Sequence, residues 1–172
     1  MTCTSLASVT VSPPVLLVSL EMHSGTLAAL LTTETFTVNL LHVRARHTAE
    51  IFASAAADRF ARTAWRPSRR LGVPWLADDS FAMAECLLAD TLAVGDHVIV
   101  LGGVVGTYYA HDTPLMYGLR QFSCWPQPPG SRIGAGTHPA SVADRRYPID
   151  NRRPDDRRTE HGTTEWVARD DD

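Results

Sequence analysis

The chain has 172 residues, 44% of them hydrophobic, enough for one domain that buries roughly two thirds of its unfolded surface. All sixteen basic residues are arginine, and the lack of lysine excludes a P-loop and a pyridoxal Schiff base. A net charge of −3 gives nucleic acid no electrostatic claim as the main partner, and no run approaches the roughly 20 apolar residues of a membrane helix. The first basic residue is Arg44, so the basic start of a signal peptide is absent and the chain is read as cytoplasmic.

Taken in order, the chain opens on "MTCTSLASVTVS", an extended segment whose alternation puts Thr2, Thr4, Ser8, Thr10 and Ser12 on one face and Ser5 on the other. Such hydroxyls can hydrogen-bond a flat heterocycle without supplying charge, although Thr and Ser also simply favour half-buried strands. Pro13 and Pro14 then block sheet pairing for two residues and fix a turn before the strand "VLLVSL" at 15–20. Ser24 is a candidate N-cap, and Leu27, Leu30 and Leu31 at i, i+3 and i+4 predict a helix packed on the sheet. A strand follows at 36–41. A second helix is predicted in "RARHTAEIFASAAADRF", with Ala49, Phe52 and Ala53 on one face and Asp58 beginning the exit. Strands are predicted at 81–88 and 97–109, the latter interrupted by Gly102–Gly103, a pair expected at a bulge or bend.

After Cys124 the composition shifts to Pro, Gly, Arg and Asp, with little left to build a core, and 126–172 is expected to be a disordered tail behind a domain at 1–125. Residues 132–172 hold eight Arg against nine Asp and Glu, a near-neutral polyampholyte and not a nucleic-acid-binding arm. Cys3, Cys86 and Cys124 are odd in number and form no C-x-x-C, so neither a disulfide framework nor a structural zinc is expected. No metal spacing links the seven histidines, and there is no Ser/His/Asp set and no G-x-G-x-x-G fingerprint. The fold class is mainly β with helices.

The segments "MTCTSLASVTVSPPVLLVSL", "SGTLAAL", "FTVNLL", "ADRFA", "GDHVIVLGGVV" and "PLMY", in this order from Met1 to about Phe122, together resemble the flavin reductase family of the FMN-binding split β-barrel fold, a Greek-key type. The resemblance implies an NAD(P)H:flavin oxidoreductase that passes hydride from nicotinamide to FMN, with FAD as a possible alternative, and supplies reduced flavin to a partner monooxygenase. It implies a homodimer, while the charge and the lack of a long apolar run leave neither nucleic acid nor membrane as an expected partner. Thr2, Cys3, Thr4 and Ser5 would run along the flavin ring, Ser19, Leu20 and Glu21 would line the ribityl side, and Ser24, Gly25 and Thr26 would receive the phosphate at a helix N-terminus. Arg59 would stand near the phosphate or pair with Asp58; Phe60 would wall the site; His97 would lie on the nicotinamide side or bond Asp96. No side chain is assigned as a catalytic residue and none as a metal ligand, because the flavin carries the reactivity. A non-catalytic flavin-binding split barrel is the alternative, and an oxidase of a phosphorylated vitamer is disfavoured for want of cationic phosphate contacts.

The sequence departs from the family pattern twice. The family carries a helix and a first strand ahead of the segment matching Met1, so the barrel is expected one strand short. Leu119–Arg120 stands where the family often has Arg-Gly after the Tyr, which leaves Arg120 as the nearest substitute.

Overall fold

The computed structural model describes residues 1–124; the predicted tail lies outside the described residues. Nine strands and two helices follow one another: β1 (Ala7–Val11), β2 (Pro14–Glu21), α1 (Gly25–Thr33), β3 (Thr35–Leu41), a 3₁₀ turn (Val43–Ala45), α2 (Arg46–Ala53), β4 (Arg66–Pro67), β5 (Pro74–Trp75), β6 (Ser80–Val94), β7 (His97–Tyr109), β8 (Leu115–Gly118) and β9 (Gln121–Cys124). Five strands form one antiparallel sheet in the order β1-β2-β7-β6-β3, open among the described residues; β4-β5 and β8-β9 are separate hairpins.

Pairing partners across an antiparallel sheet share a face, and the register therefore sorts the side chains. Val18 faces Val100 and Leu20 faces Val98, and these meet Leu27 and Leu30 of α1 in the main core. Burying each such aliphatic side chain contributes about 1.5–3 kcal/mol, more than any single cap or surface ion pair. The opposite face carries the rows Ser19–Ile99–Leu92 and Glu21–His97–Val94. Leu92 is 61% exposed and Val94 53%. A second core joins Ile51 and Phe52 of α2 to Leu76 and Leu41.

Several expectations are corrected. Residues 2–12 are not a single strand: the chain bends at Thr4, β1 starts at Ala7, and the pairing slips between Ser8 and Thr10, so the hydroxyls do not line one face. Only Ser12–Pro13 turns; Pro14 opens β2 opposite Val11, a first-residue position where a missing N–H is tolerated. Leu31 is 46% exposed, because the nine-residue helix rests on the sheet through Leu27 and Leu30 alone. Helix α2 stops at Ala53, and Ala53 itself is exposed. The Ser54 hydroxyl donates to the Ile51 carbonyl at 2.7 Å and ends the helix by local competition, ahead of the alanines that suggested it would continue.

Gly102 faces Leu88, and the next pair is Asp90–Leu101, so the bulge lies on β6 beside the glycine. The glycine has its own cause. A Cβ there would collide with the Phe36 ring, which crosses the sheet at this point (Cε1 at 2.8 Å).

Candidate functional site

The amino-terminal segment is tied down at two places. Thr2 N–H donates to the Phe52 carbonyl at 3.2 Å, at the end of α2. Ser5 Oγ donates to the Ser19 carbonyl at 2.8 Å and accepts from the Ser19 N–H at 3.1 Å, closing both backbone groups of one β2 residue. The Ser5 hydroxyl is thus spent within the protein. Cys3 Sγ lies 2.9 Å from the same hydroxyl, and Cys3 and Thr4 remain exposed.

From Ser19 the contacts run on toward the end of β2. Glu21 is paired with His97, its carboxylate accepts the His23 N–H at 3.0 Å, and the Glu21 carbonyl accepts the Ser24 N–H at 3.1 Å. Ser24 caps α1 as expected, its Oγ accepting the Leu27 N–H at 3.2 Å. The N–H groups of Gly25 and Thr26 belong to the first turn, where an anion is favoured by about 0.3–1 kcal/mol. His97 Nδ1 meets Asp96 Oδ1 at 2.8 Å, the local bond weighed as the alternative role for this histidine. That hydrogen bond, followed by the imidazole's charge, holds the Asp96 carboxyl below its ordinary value.

At the other end of the segment stands Arg59. Its Nε is shielded from solvent and has no hydrogen-bond partner among the described residues. Asp58 reaches toward Arg62, at 4.0 Å, and not toward Arg59. Burial, and then the Arg59 charge, lower the pKa of the Met1 amino group, so cationic potential gathers where the segment begins. Phe60 packs edge-on against Phe52 at 5.2 Å and Trp65 at 5.8 Å, with one side half-exposed.

Of the expected residues, the structure joins Thr2, Cys3, Thr4, Ser5, Ser19, Glu21, Ser24, Gly25, Thr26 and His97 in one connected line, with Arg59 and Phe60 flanking its start. Leu20 is the exception: it is 3% exposed in the main core, and only its backbone borders the line. No hydrogen bond or ion pair links Arg59 to Ser24–Thr26 among the described residues. Arg120 sits with Leu119 at the tip of the β8–β9 hairpin, both in the left-handed region (φ 61° and 51°).

Two residues escaped the sequence reading. Trp65 belongs to no motif, though aromatic rings interleaved with arginines were a visible signal. Glu85, a lone acid inside the apolar run "FAMAECLL", is buried and accepts from Ser68 Oγ (2.6 Å), Arg70 N (3.1 Å) and Leu71 N (2.8 Å), anchoring the segment that carries β4 and β5.

The open β-sheet, the polar amino-terminal strap, the capped start of α1 and the half-buried Arg59, whose Nε has no partner among the described residues, sit on a mainly β fold that matches solved split-barrel flavin reductases. The chain belongs to the flavin reductase family: the flavin reductase like domain matches residues 1–126. It is 51% identical over 125 residues to the flavin reductase (NADPH) of Lentzea aerocolonigenes, covering 73% of each chain. It is 40% identical to the flavin reductase (NADH) of Kitasatospora aureofaciens over 80% of this chain and 73% of that one. Among solved structures, nitrilotriacetate monooxygenase component B from Mycobacterium thermoresistibile superimposes with a TM-score of 0.68 at 29% identity, covering 79% of each chain. The protein is an NAD(P)H-dependent flavin reductase of the kind that serves as a reductase component of two-component monooxygenases.

Proposed function

We propose that the chain binds FMN along the line from Met1 to Thr26 and takes its hydride from NADH or NADPH, acting as a cytoplasmic homodimer that feeds a flavin-dependent monooxygenase. The observation that carries this reading is the double hydrogen bond from Ser5 to Ser19, which fixes the polar strap beside the end of β2. When bound, the flavin supplies the ring that accepts the hydride from nicotinamide.

The residues present fit that group. Backbone and hydroxyl groups of Thr2, Cys3 and Thr4 border the ring, with Ser5 acting as the clasp that holds them. Ser19, Glu21 and the Leu20 backbone line the ribityl chain. The Gly25 and Thr26 N–H groups take the phosphate, and the unpartnered Arg59 Nε supplies a cationic donor at the other end of the strap. Phe60 excludes water from the near wall, and His97, held by Asp96, borders the nicotinamide. None of these groups needs to move a proton in the reductive half; they hold two planar rings at reacting distance. The reductase unit is residues 1–125, with 126–172 as an appended tail.

The homodimer rests on the half-exposed outer sheet face, where Leu92 and Val94 flank Ile99, Ser19 and His97. Anaerobic titration of the flavin-loaded protein with NADH and with NADPH, followed by absorbance, tests the whole reading. Bleaching of the flavin by at least one donor is expected. A bound flavin that neither donor bleaches overturns it.

A further inference from the structure

Between Asp58 and Asp78 the chain carries five arginines, Arg59, Arg62, Arg66, Arg69 and Arg70, and no acidic residue, although the whole chain is net negative. Aromatic rings are set among them. Trp65 packs on Phe60, and the Arg66 guanidinium lies 4.5 Å over the Trp75 ring, which in turn packs on Tyr108 at 4.8 Å. The β4–β5 pairing, Arg66 opposite Trp75, holds this arrangement, and Glu85 anchors the connecting loop through the Arg70 and Leu71 N–H groups. Stacking orients the Arg66 fork without consuming its donors, and neither the Arg66 nor the Arg69 side chain, both on exposed residues, forms an ion pair or hydrogen bond among the described residues. A shallow cavity of about 90 Å³ opens here, lined by Ala64, Trp65, Arg66, Ala77 and Asp78.

A flat ring, a guanidinium fork and a carboxylate around one opening are complementary to a nucleotide: base on the aromatic face, phosphate on arginine, ribose hydroxyl on carboxylate. The Asp78 charge repels phosphate from its own side and directs it toward Arg66, with the exposed Arg69 three residues further along the chain as a second donor. FMN ends at a single phosphate, which the α1 N-terminus takes; the groups left without a use match an adenosine phosphate.

We propose that the Trp65–Arg66–Arg69 surface binds the phosphorylated adenosine end of a dinucleotide, with adenine on Trp65 and phosphate on Arg66 and Arg69. Only the identity of that dinucleotide rests on the reductase reading. Two sources share the chemistry: the adenosine of NADPH or NADH, and the adenosine diphosphate of FAD.

Calorimetric titration of the full chain with adenosine 2′,5′-bisphosphate and with ADP tests the site without any turnover. Saturable binding is expected, weakened about tenfold or more by Arg69→Ala and by Trp65→Ala. Arg66→Ala should do the same, but it also removes a contact to Trp75, so Arg69→Ala, which has no such contact, decides if Arg66→Ala fails to fold. Steady-state KM values for NADPH and NADH, with Kd values for FAD and FMN, distinguish the sources in the same variants. A rise confined to the nicotinamide donors assigns the surface to the hydride donor, and weaker FAD binding with unchanged FMN assigns it to the flavin. If neither adenosine phosphate binds the unaltered protein, or Arg69→Ala changes none of these values, the proposal is overturned. Adenosine phosphate binding by a protein that oxidises no nicotinamide would leave the site standing and remove the reductase reading instead.

Discussion

Cys86 and Cys3 show how far environment separates two identical side chains. Burial, reinforced by the neighbouring Glu85 charge, pushes the Cys86 thiol up to about 12, so it stays protonated and unreactive at neutral pH. Cys3 is exposed on the strap. A thiol-directed alkylating reagent should therefore label Cys3 and Cys124 in the folded protein and spare Cys86, as read by peptide mass spectrometry. Saturating FMN should slow labelling of Cys3 severalfold and leave Cys124 unchanged; equal rates would detach the strap from the flavin.

Glu85 belongs to the same scale. Its Oε2 serves three donors at once, and a Cβ on Gly106 would sit 2.9 Å from its Oε1, so the carboxylate fills its pocket. Glu85→Ala strands the Ser68 hydroxyl and two N–H groups. The cost should be on the order of 1–3 kcal/mol in denaturant unfolding, with Trp75 fluorescence changing because the β4–β5 segment loses its anchor.

Among the elements, β7 was legible end to end, 97–109, since its apolar run is bounded by the Gly95–Asp96 turn (Gly95 φ 59°). Its partner β6 was read as 81–88 and continues to Val94. Those last six residues are all exposed and are held by backbone pairing to β7, which leaves no apolar alternation to read. The hairpins β4–β5 and β8–β9 were too short to carry a period. Of the candidate site, the Ser24 cap of α1 was legible, but the Ser5 clasp was not, because its hydroxyl bonds a residue fourteen positions away. Local patterns hold no information about such a pairing.

The connection after β3 is clasped to the loop after β7 by Arg44, whose Nη1 and Nη2 donate to Asp112 at 3.1 and 2.5 Å. The Arg44 hydrogen bonds hold the Asp112 carboxyl below its ordinary value of 3.8. A depressed folded-state pKa gives stability that is present above the unfolded value and lost as pH falls through the folded one. Arg44 is largely exposed, so solvent screening keeps the effect below about 1 kcal/mol. Unfolding midpoints should thus fall more steeply below about pH 4 in the unaltered chain than in Asp112→Asn.

At the scale of the molecule, the sheet separates the core from the proposed flavin side by face. Val18, Leu20 and Val100 point into the core, while Ser19, Glu21 and His97 alternate with them toward the other side. That outer side also presents Leu92 and Val94, apolar surface adjoining the polar groups proposed for the flavin, the arrangement expected where a second copy closes over a shared site. Leu92→Arg should shift the protein from dimer to monomer in sedimentation velocity and weaken FMN binding at least tenfold, with little loss of monomer stability because the position is already exposed. A dimer that survives this change would place the interface elsewhere.

Phe36 and Gly102 occupy one volume between them, which makes the two positions epistatic. Gly102→Ala alone should be destabilising by about 1–3 kcal/mol, and Phe36→Leu alone should open a void, yet the double variant should recover part of both losses. Evolutionary drift at either position is therefore contingent on the other, and a thermal-melt cycle over the four genotypes would measure how tightly.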